Sequence, residues 1–274
     1  MLVDTHVHLI ASDKREFPLN RFSHPGNEWI ESAPDVSEYL QDMEKAGVSK
    51  ALLVQPHAAY QTDNNYICSA AANHETIFPI AIVNPSQSIG AQPLSELVRR
   101  GVVGLRLFSI PTPAESWLAS PTSTQLWKEA RKQNLVMGIC ALPSEISEIG
   151  KCAQMYKSQT IVIDHCAFAP IADNKNPATK ALFQLAAFPN VVLKVTTLVI
   201  DEWVRSQSKP SGLFPLLAES FSPDRLVWGS DFAQTKDRTY QQLVDLGIEA
   251  MSSLGSSADS PMYLNAERIW KLEE

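Results

Sequence analysis

The chain has 274 residues, 45% of them hydrophobic and 19% charged, close to the globular average of about 45–50% apolar and 25% charged. At this length roughly 75% of the unfolded chain's surface can be buried, so disulfide or metal staples are not required. Lys and Arg number 23 against 30 Asp and Glu, a net charge of −7; the basic residues are scattered apart from pairs such as Arg99-Arg100, which argues against a nucleic-acid partner.

No run of about 18 apolar residues marks a membrane span, and Met1-Leu2-Val3-Asp4 does not open an export signal. The expectation is a soluble cytoplasmic protein that acts on a small molecule, with assembly into a homo-oligomer left open. Cys68, Cys140, Cys152 and Cys166 lie far apart with no C-x-x-C, as expected of reduced thiols, and Cys140 and Cys166 fall in apolar runs where a buried thiol is the ordinary occupant.

Short apolar, β-branched runs recur in chain order: Leu2–Leu9, Lys50–Gln55, Phe78–Val83, Val102–Phe108, Leu135–Cys140, Thr160–His165, Val191–Thr197 and Leu226–Asp231. Most are apolar on both faces, the pattern of parallel strands covered on both sides. Helical patterns lie between them, among them Val36–Ala46, Pro93–Arg100, Ser123–Gln133, Glu145–Tyr156, Thr179–Phe188 and Tyr240–Leu254. Successive strand starts are separated by 24 residues (78 to 102) to 48 (2 to 50), enough chain for a strand, a helix and two loops. Eight such units predict a single-domain α/β protein, a (β/α)8 TIM barrel spanning 1–274. A doubly wound sheet is the rival, but no G-x-G-x-x-G or phosphate-binding loop follows any strand. The irregular stretch Ile10–Asp35, with Trp29 and His24, and the stretch Pro111–Pro121, with Trp117, would be loops over the mouth.

A barrel builds its site at the C-terminal strand ends. The first run carries Asp4-Thr5-His6-Val7-His8; alternation puts His6 and His8 on one side, about 7 Å apart along the strand and able to converge on one ion or substrate. The sixth ends in Asp164-His165 and the eighth in Ser230-Asp231, where Asp231 is either a helix N-cap or, gathered with the histidines, a proton-transfer group. Arg106, inward on the fourth strand, calls for an anion, either a substrate carboxylate or a neighbouring acid. Gln55, His57 and Asn84 could line the pocket or serve turns and surface. Lys194 is either a rim residue or an outward charge, and His24 and His74 read as solvent-facing.

The ordered set Val3-Asp4-Thr5-His6-Val7-His8, Ile163-Asp164-His165 and Trp228-Gly229-Ser230-Asp231, closed by Leu264-Asn265-Ala266-Glu267-Arg268-Ile269-Trp270, resembles the amidohydrolase superfamily, in particular its branch with 2-pyrone-4,6-dicarboxylate lactonase and sugar lactonases. The resemblance implies a hydrolase in which Asp231 activates water toward a lactone carbonyl, His6, His8 and His165 polarise that carbonyl, and Arg106 holds a carboxylate or sugar oxygen. It also implies either no cofactor or one divalent metal ion, zinc among the candidates, on His6, His8 and Asp231. Leu135–Ala141 lacks the Lys or His that metal-dependent relatives carry after strand five, which argues against a binuclear centre, and Phe232-Ala233-Gln234 stands where relatives often have Trp-Pro. The alternative activity is metal-dependent, non-oxidative decarboxylation of an aromatic or unsaturated carboxylic acid. A non-catalytic barrel would have to bury this cluster of ionisable side chains to no purpose, at a cost in stability.

Overall fold

In a computed structural model whose described residues are 1–21, 26–85, 91–110, 120–206 and 208–272, each apolar run becomes a strand. These are β1 (Val3–Val7), β2 (Lys50–Val54), β3 (Ile77–Ile82), β4 (Gly104–Phe108), β5 (Val136–Cys140), β6 (Ile161–Ile163), β7 (Val191–Thr196) and β8 (Leu226–Gly229). They pair in sequence order and all in parallel. The ring closes just past β8: Val7 bridges to Phe232, Asp231 N donates to His6 O at 2.9 Å, and Thr5 Oγ1 donates to Trp228 O at 2.6 Å. The expected helices are present within a few residues, for example Val36–Lys45, Pro121–Lys132, Ile146–Met155 and Tyr240–Met251. The chain is thus a (β/α)8 barrel. Among the described residues no helix is long and apolar enough to cross a membrane.

Strand alternation divides the apolar residues into two clusters. The larger holds side chains such as Leu53, Leu105, Leu107, Leu193 and Trp228, which pack outward against the helices. The smaller joins Val3, Leu52, Val54, Ile80, Val136, Val162, Val192 and Val227 to Ala266, Ile269 and Trp270 of the C-terminal helix Asn265–Trp270. That helix stoppers the barrel from its N-terminal end. The C-terminal end is left for polar groups.

One irregularity decides what β1 presents there. Asp4 lies opposite Ala51 but Val7 lies opposite Leu53, so three steps of β1 match two of β2, a β-bulge. Because Val3 faces inward, strict alternation would have turned Thr5 and Val7 inward; the bulge turns His6 and His8 inward instead. Asp4 stitches the bulge in place, its Oδ1 accepting from His6 N at 3.0 Å and Ser230 N at 2.9 Å and its Oδ2 from Tyr240 Oη at 3.1 Å. Gly229 makes the closure sterically feasible, since a Cβ there would lie 2.6 Å from His6 Cβ.

Candidate active site

His6, His8 and Asp231 meet on the inner face of the β1–β8 seam. The two Nε2 atoms are 3.2 Å apart, and Asp231 Oδ1 lies 3.6 Å from His6 Nε2 and 3.8 Å from His8 Nε2. The convergence is tighter than strand spacing alone predicts, because the rings turn toward each other edge to face with centroids 4.9 Å apart. His8 Nδ1 donates to Val54 O at 2.8 Å, which leaves Nε2 with its lone pair. Asp231 is fully buried, and neither carboxylate oxygen has a hydrogen-bond donor; burial pushes its carboxyl up to about 8. Burial likewise lowers His8 to about 3.

A divalent ion is bound by nitrogen and oxygen donors at about 2.0–2.2 Å, and three protein ligands suffice for a catalytic zinc site. Donor atoms 3.2 to 3.8 Å apart, one of them an orphaned carboxylate oxygen, suit one such ion. The group is the one His/Asp cluster of metal-ligating type among the described residues. On β5, Val136-Met137-Gly138-Ile139-Cys140 adds no further ligand, in line with a single-ion site.

The sixth strand departs from expectation. It ends at Ile163, and His165 sits in a turn in which His165, Cys166, Ala167 and Phe168 all have φ between 50 and 53°, a left-handed conformation that non-glycine residues adopt at a cost and that recurs at functional sites. The turn places the His165 ring 4.8 Å from that of His6, with Nδ1 2.8 Å from Thr196 Oγ1. Burial lowers His165 to about 3.

Beneath the imidazoles lies a charged layer that the sequence reading left unassembled. Asp164 Oδ2 accepts from Arg106 Nε at 2.7 Å, and Asp164 Oδ1 lies 3.1 Å from Lys194 Nζ. All three side chains are buried. Burial opposes ionisation of Asp164, but Lys194 and Arg106 hold its carboxyl well below the usual range. Arg106 therefore has a protein anion on Nε while its side chain still lines the cavity. Lys194, read either way from sequence, faces inward. The register decides Lys194: Val192, two residues before it on β7, faces the barrel interior.

Above this layer is a cavity of about 160 Å³, close to the roughly 150 Å³ that accommodates benzene in an engineered core. Strand ends and the residues just past them contribute His8, Arg106, Phe108, Cys140 and His165, and the segments beyond contribute Trp29, His57, Phe168, Gln234 and, from the helix Thr197–Arg205, Leu198. His57 stacks on Phe108 at 4.3 Å and its ring is lowered to about 4 by burial, then by Arg106. Two expected lining residues sit elsewhere. Gln55 Nε2 donates to Gln61 O and Asp63 O, at 3.3 and 2.6 Å, and so holds the loop after β2. Asn84 is half-buried and away from the cavity wall. His74 is half-buried rather than solvent-facing; His24, Trp117 and residues 111–119 lie outside the described residues. All four cysteines are free and buried.

The chain is 26% identical over 206 residues to L-fucono-1,5-lactonase of Burkholderia ambifaria, covering 70% of this chain and 69% of that one. It is 24% identical over 242 residues to 4-sulfomuconolactone hydrolase of Rhizobium radiobacter, covering 84% and 74%. A crystal structure of a probable 2-pyrone-4,6-dicarboxylic acid hydrolase from Acinetobacter baumannii with citric acid bound superposes with a TM-score of 0.78 at 18% identity, covering 98% of this chain and 99% of that one. The amidohydrolase family matches residues 3–272, the whole of the barrel from β1 to the stoppering helix, and the chain belongs to that family.

Proposed function

We propose that this amidohydrolase opens a small carboxylated or sugar-derived lactone by hydrolysis. The observation that carries the reading is Asp231: a buried carboxylate without a hydrogen-bond donor, set beside two imidazoles under a cavity of ring size. With its carboxyl pushed up to about 8, Asp231 in its ionised form is a stronger base than an ordinary carboxylate, and that form accepts the proton of an attacking water. His8 lines the cavity and its Nε2 lies 3.8 Å from Asp231 Oδ1, so water in the cavity reaches the carboxylate beside His8. The curated relatives, both named for action on lactones, support the same reaction class.

His165 borders the cavity with its Nδ1 tied to Thr196, an orientation suited to polarising the carbonyl and stabilising the oxyanion. Arg106, anchored through Nε, presents the rest of its guanidinium to a carboxylate or ring oxygen. His57 and the aromatic walls of Phe108, Trp29 and Phe168 complete a pocket for a flat ring. His6, His8 and Asp231 would hold a single divalent ion, zinc fitting the donor set, and when bound it would supply Lewis acidity and a more acidic water. Among the described residues no further observation favours decarboxylation.

The test is acid release, followed with a pH indicator, across sugar lactones and carboxylated lactones, each with and without a strong chelator. Opening of at least one lactone is expected; loss of that activity with chelator and its recovery with zinc would assign His6, His8 and Asp231 to the ion. Silence across the panel together with carbon dioxide release from aromatic acids would overturn the reading in favour of decarboxylation.

A further inference from the structure

Lys194 is a lone cation in the apolar strand β7, buried to 3% exposure inside the barrel. Its Nζ lies 3.3 Å from His6 Nδ1 and 3.1 Å from Asp164 Oδ1, yet Asp164 Oδ1 accepts no well-aligned hydrogen bond. An ammonium carries three N–H groups, so Lys194 keeps its ion pair with Asp164 and also reaches the imidazole. An ammonium can only donate, so His6 Nδ1 accepts, and neutral His6 carries its proton on Nε2. That proton points at His8 Nε2, 3.2 Å away, whose lone pair is free because His8 Nδ1 donates to Val54 O. The result is a self-consistent chain from Lys194 through His6 and His8 to the Val54 carbonyl, and it occupies the lone pair that a metal would need.

The opposite arrangement is built into the same layer. Asp164 Oδ1 lies 3.7 Å from His6 Nδ1. With Nδ1–H directed at that carboxylate, Nε2 would be unprotonated, and a histidine backed by a carboxylate is the usual metal ligand. Asp164 would keep Arg106 at 2.7 Å in either case.

We propose that Lys194 is a positioning residue that holds the His6 proton on Nε2 and thereby keeps the metal affinity of the His6, His8, Asp231 donor set low. Its charge acts in the same direction, since an ammonium against a ligand repels a divalent cation. The proposal concerns that donor set and not the lactone chemistry, so it stands or falls on metal binding and proton position whatever the substrate panel shows.

The full-length protein, stripped of metal, is compared with Lys194→Met, Lys194→Gln and Lys194→Arg. Zinc affinity is measured by competition with a chromophoric chelator, and the His6 tautomer by long-range proton–nitrogen correlation spectra of the metal-free protein. Lys194→Met is expected to bind zinc at least tenfold more tightly and to move the His6 proton to Nδ1, within the 10–100-fold range by which groups behind a ligand alter metal affinity. Lys194→Arg, which keeps the donor and the charge, is expected to restore wild-type tautomer and affinity. Lys194→Gln, which keeps a donor without the charge, is expected to retain the wild-type tautomer with intermediate affinity. Unchanged or weaker zinc binding in folded Lys194→Met would overturn the proposal. So would a wild-type spectrum with the His6 proton on Nδ1, a result that needs no variant to fold.

Discussion

Gly229 is where the chain has least room, and its effect is on the site rather than on a turn. Its missing Cβ is the space occupied by His6, with 2.6 Å to His6 Cβ and 3.0 Å to His6 N. Gly229→Ala is expected to destabilise the protein by about 1–3 kcal/mol through overpacking and to abolish turnover by displacing His6; a denaturation midpoint unchanged from wild type would contradict the close approach. His6, His8 and Asp231 were legible as residues because ionisable groups at the ends of apolar strands have few other uses. Arg106 was legible as an inward guanidinium, though its Nε partner proved to be Asp164. Lys194 was not legible in the same way, since one lysine in an apolar strand snorkels outward or turns inward according to a parity that only the barrel register sets: Lys194 opposite Val227, and Val192 in the inner cluster.

At the scale of elements, the β1 bulge does most to build the site. H-x-H spacing correctly placed both histidines on one face, but which face depended on the extra residue and on Asp4, which satisfies two buried amides across the seam. Asp4→Ala leaves the His6 and Ser230 amides without an acceptor and is expected to cost about 2–6 kcal/mol, at roughly 1–3 kcal/mol for each unsatisfied group. Asp4→Asn keeps a side-chain oxygen and should recover most of that loss in urea or thermal melts; equal losses in the two variants would show that Asp4 acts through charge instead. The left-handed turn after β6 was not legible, because Asp164-His165-Cys166-Ala167-Phe168 contains no glycine to announce positive φ. Reading Thr160–His165 as one strand still delivered His165 to the right rim, by the wrong backbone path.

Across the whole molecule the barrel is layered along its axis: the Trp270 stopper, the inner apolar cluster, the Arg106–Asp164–Lys194 layer, the imidazoles with Asp231, and the cavity. The strand count, order and parallel sense followed from eight apolar runs, each separated from the next by enough chain for a helix, as did the single domain. The layering did not, since it depends on which inward residues stack at equal height. Trp270→Ala is expected to cost about 3–5 kcal/mol, the range for deleting a buried aromatic, while leaving the substrate specificity of the remaining folded protein unchanged, because Trp270 lies on the far side of the charged layer from the cavity. A loss under about 1 kcal/mol in chemical denaturation would mean that the helix does not close the barrel.

The proposed role of Asp231, activation of the water that opens a lactone, is tested by acid release from Asp231→Asn beside wild type on the lactone that wild type opens best. General-base removal is expected to lower kcat by about 10²–10⁴-fold, with a melting temperature no lower than wild type, since the substitution removes a buried carboxylate that lacks a hydrogen-bond donor. A folded Asp231→Asn protein that releases acid at the wild-type rate would contradict the account.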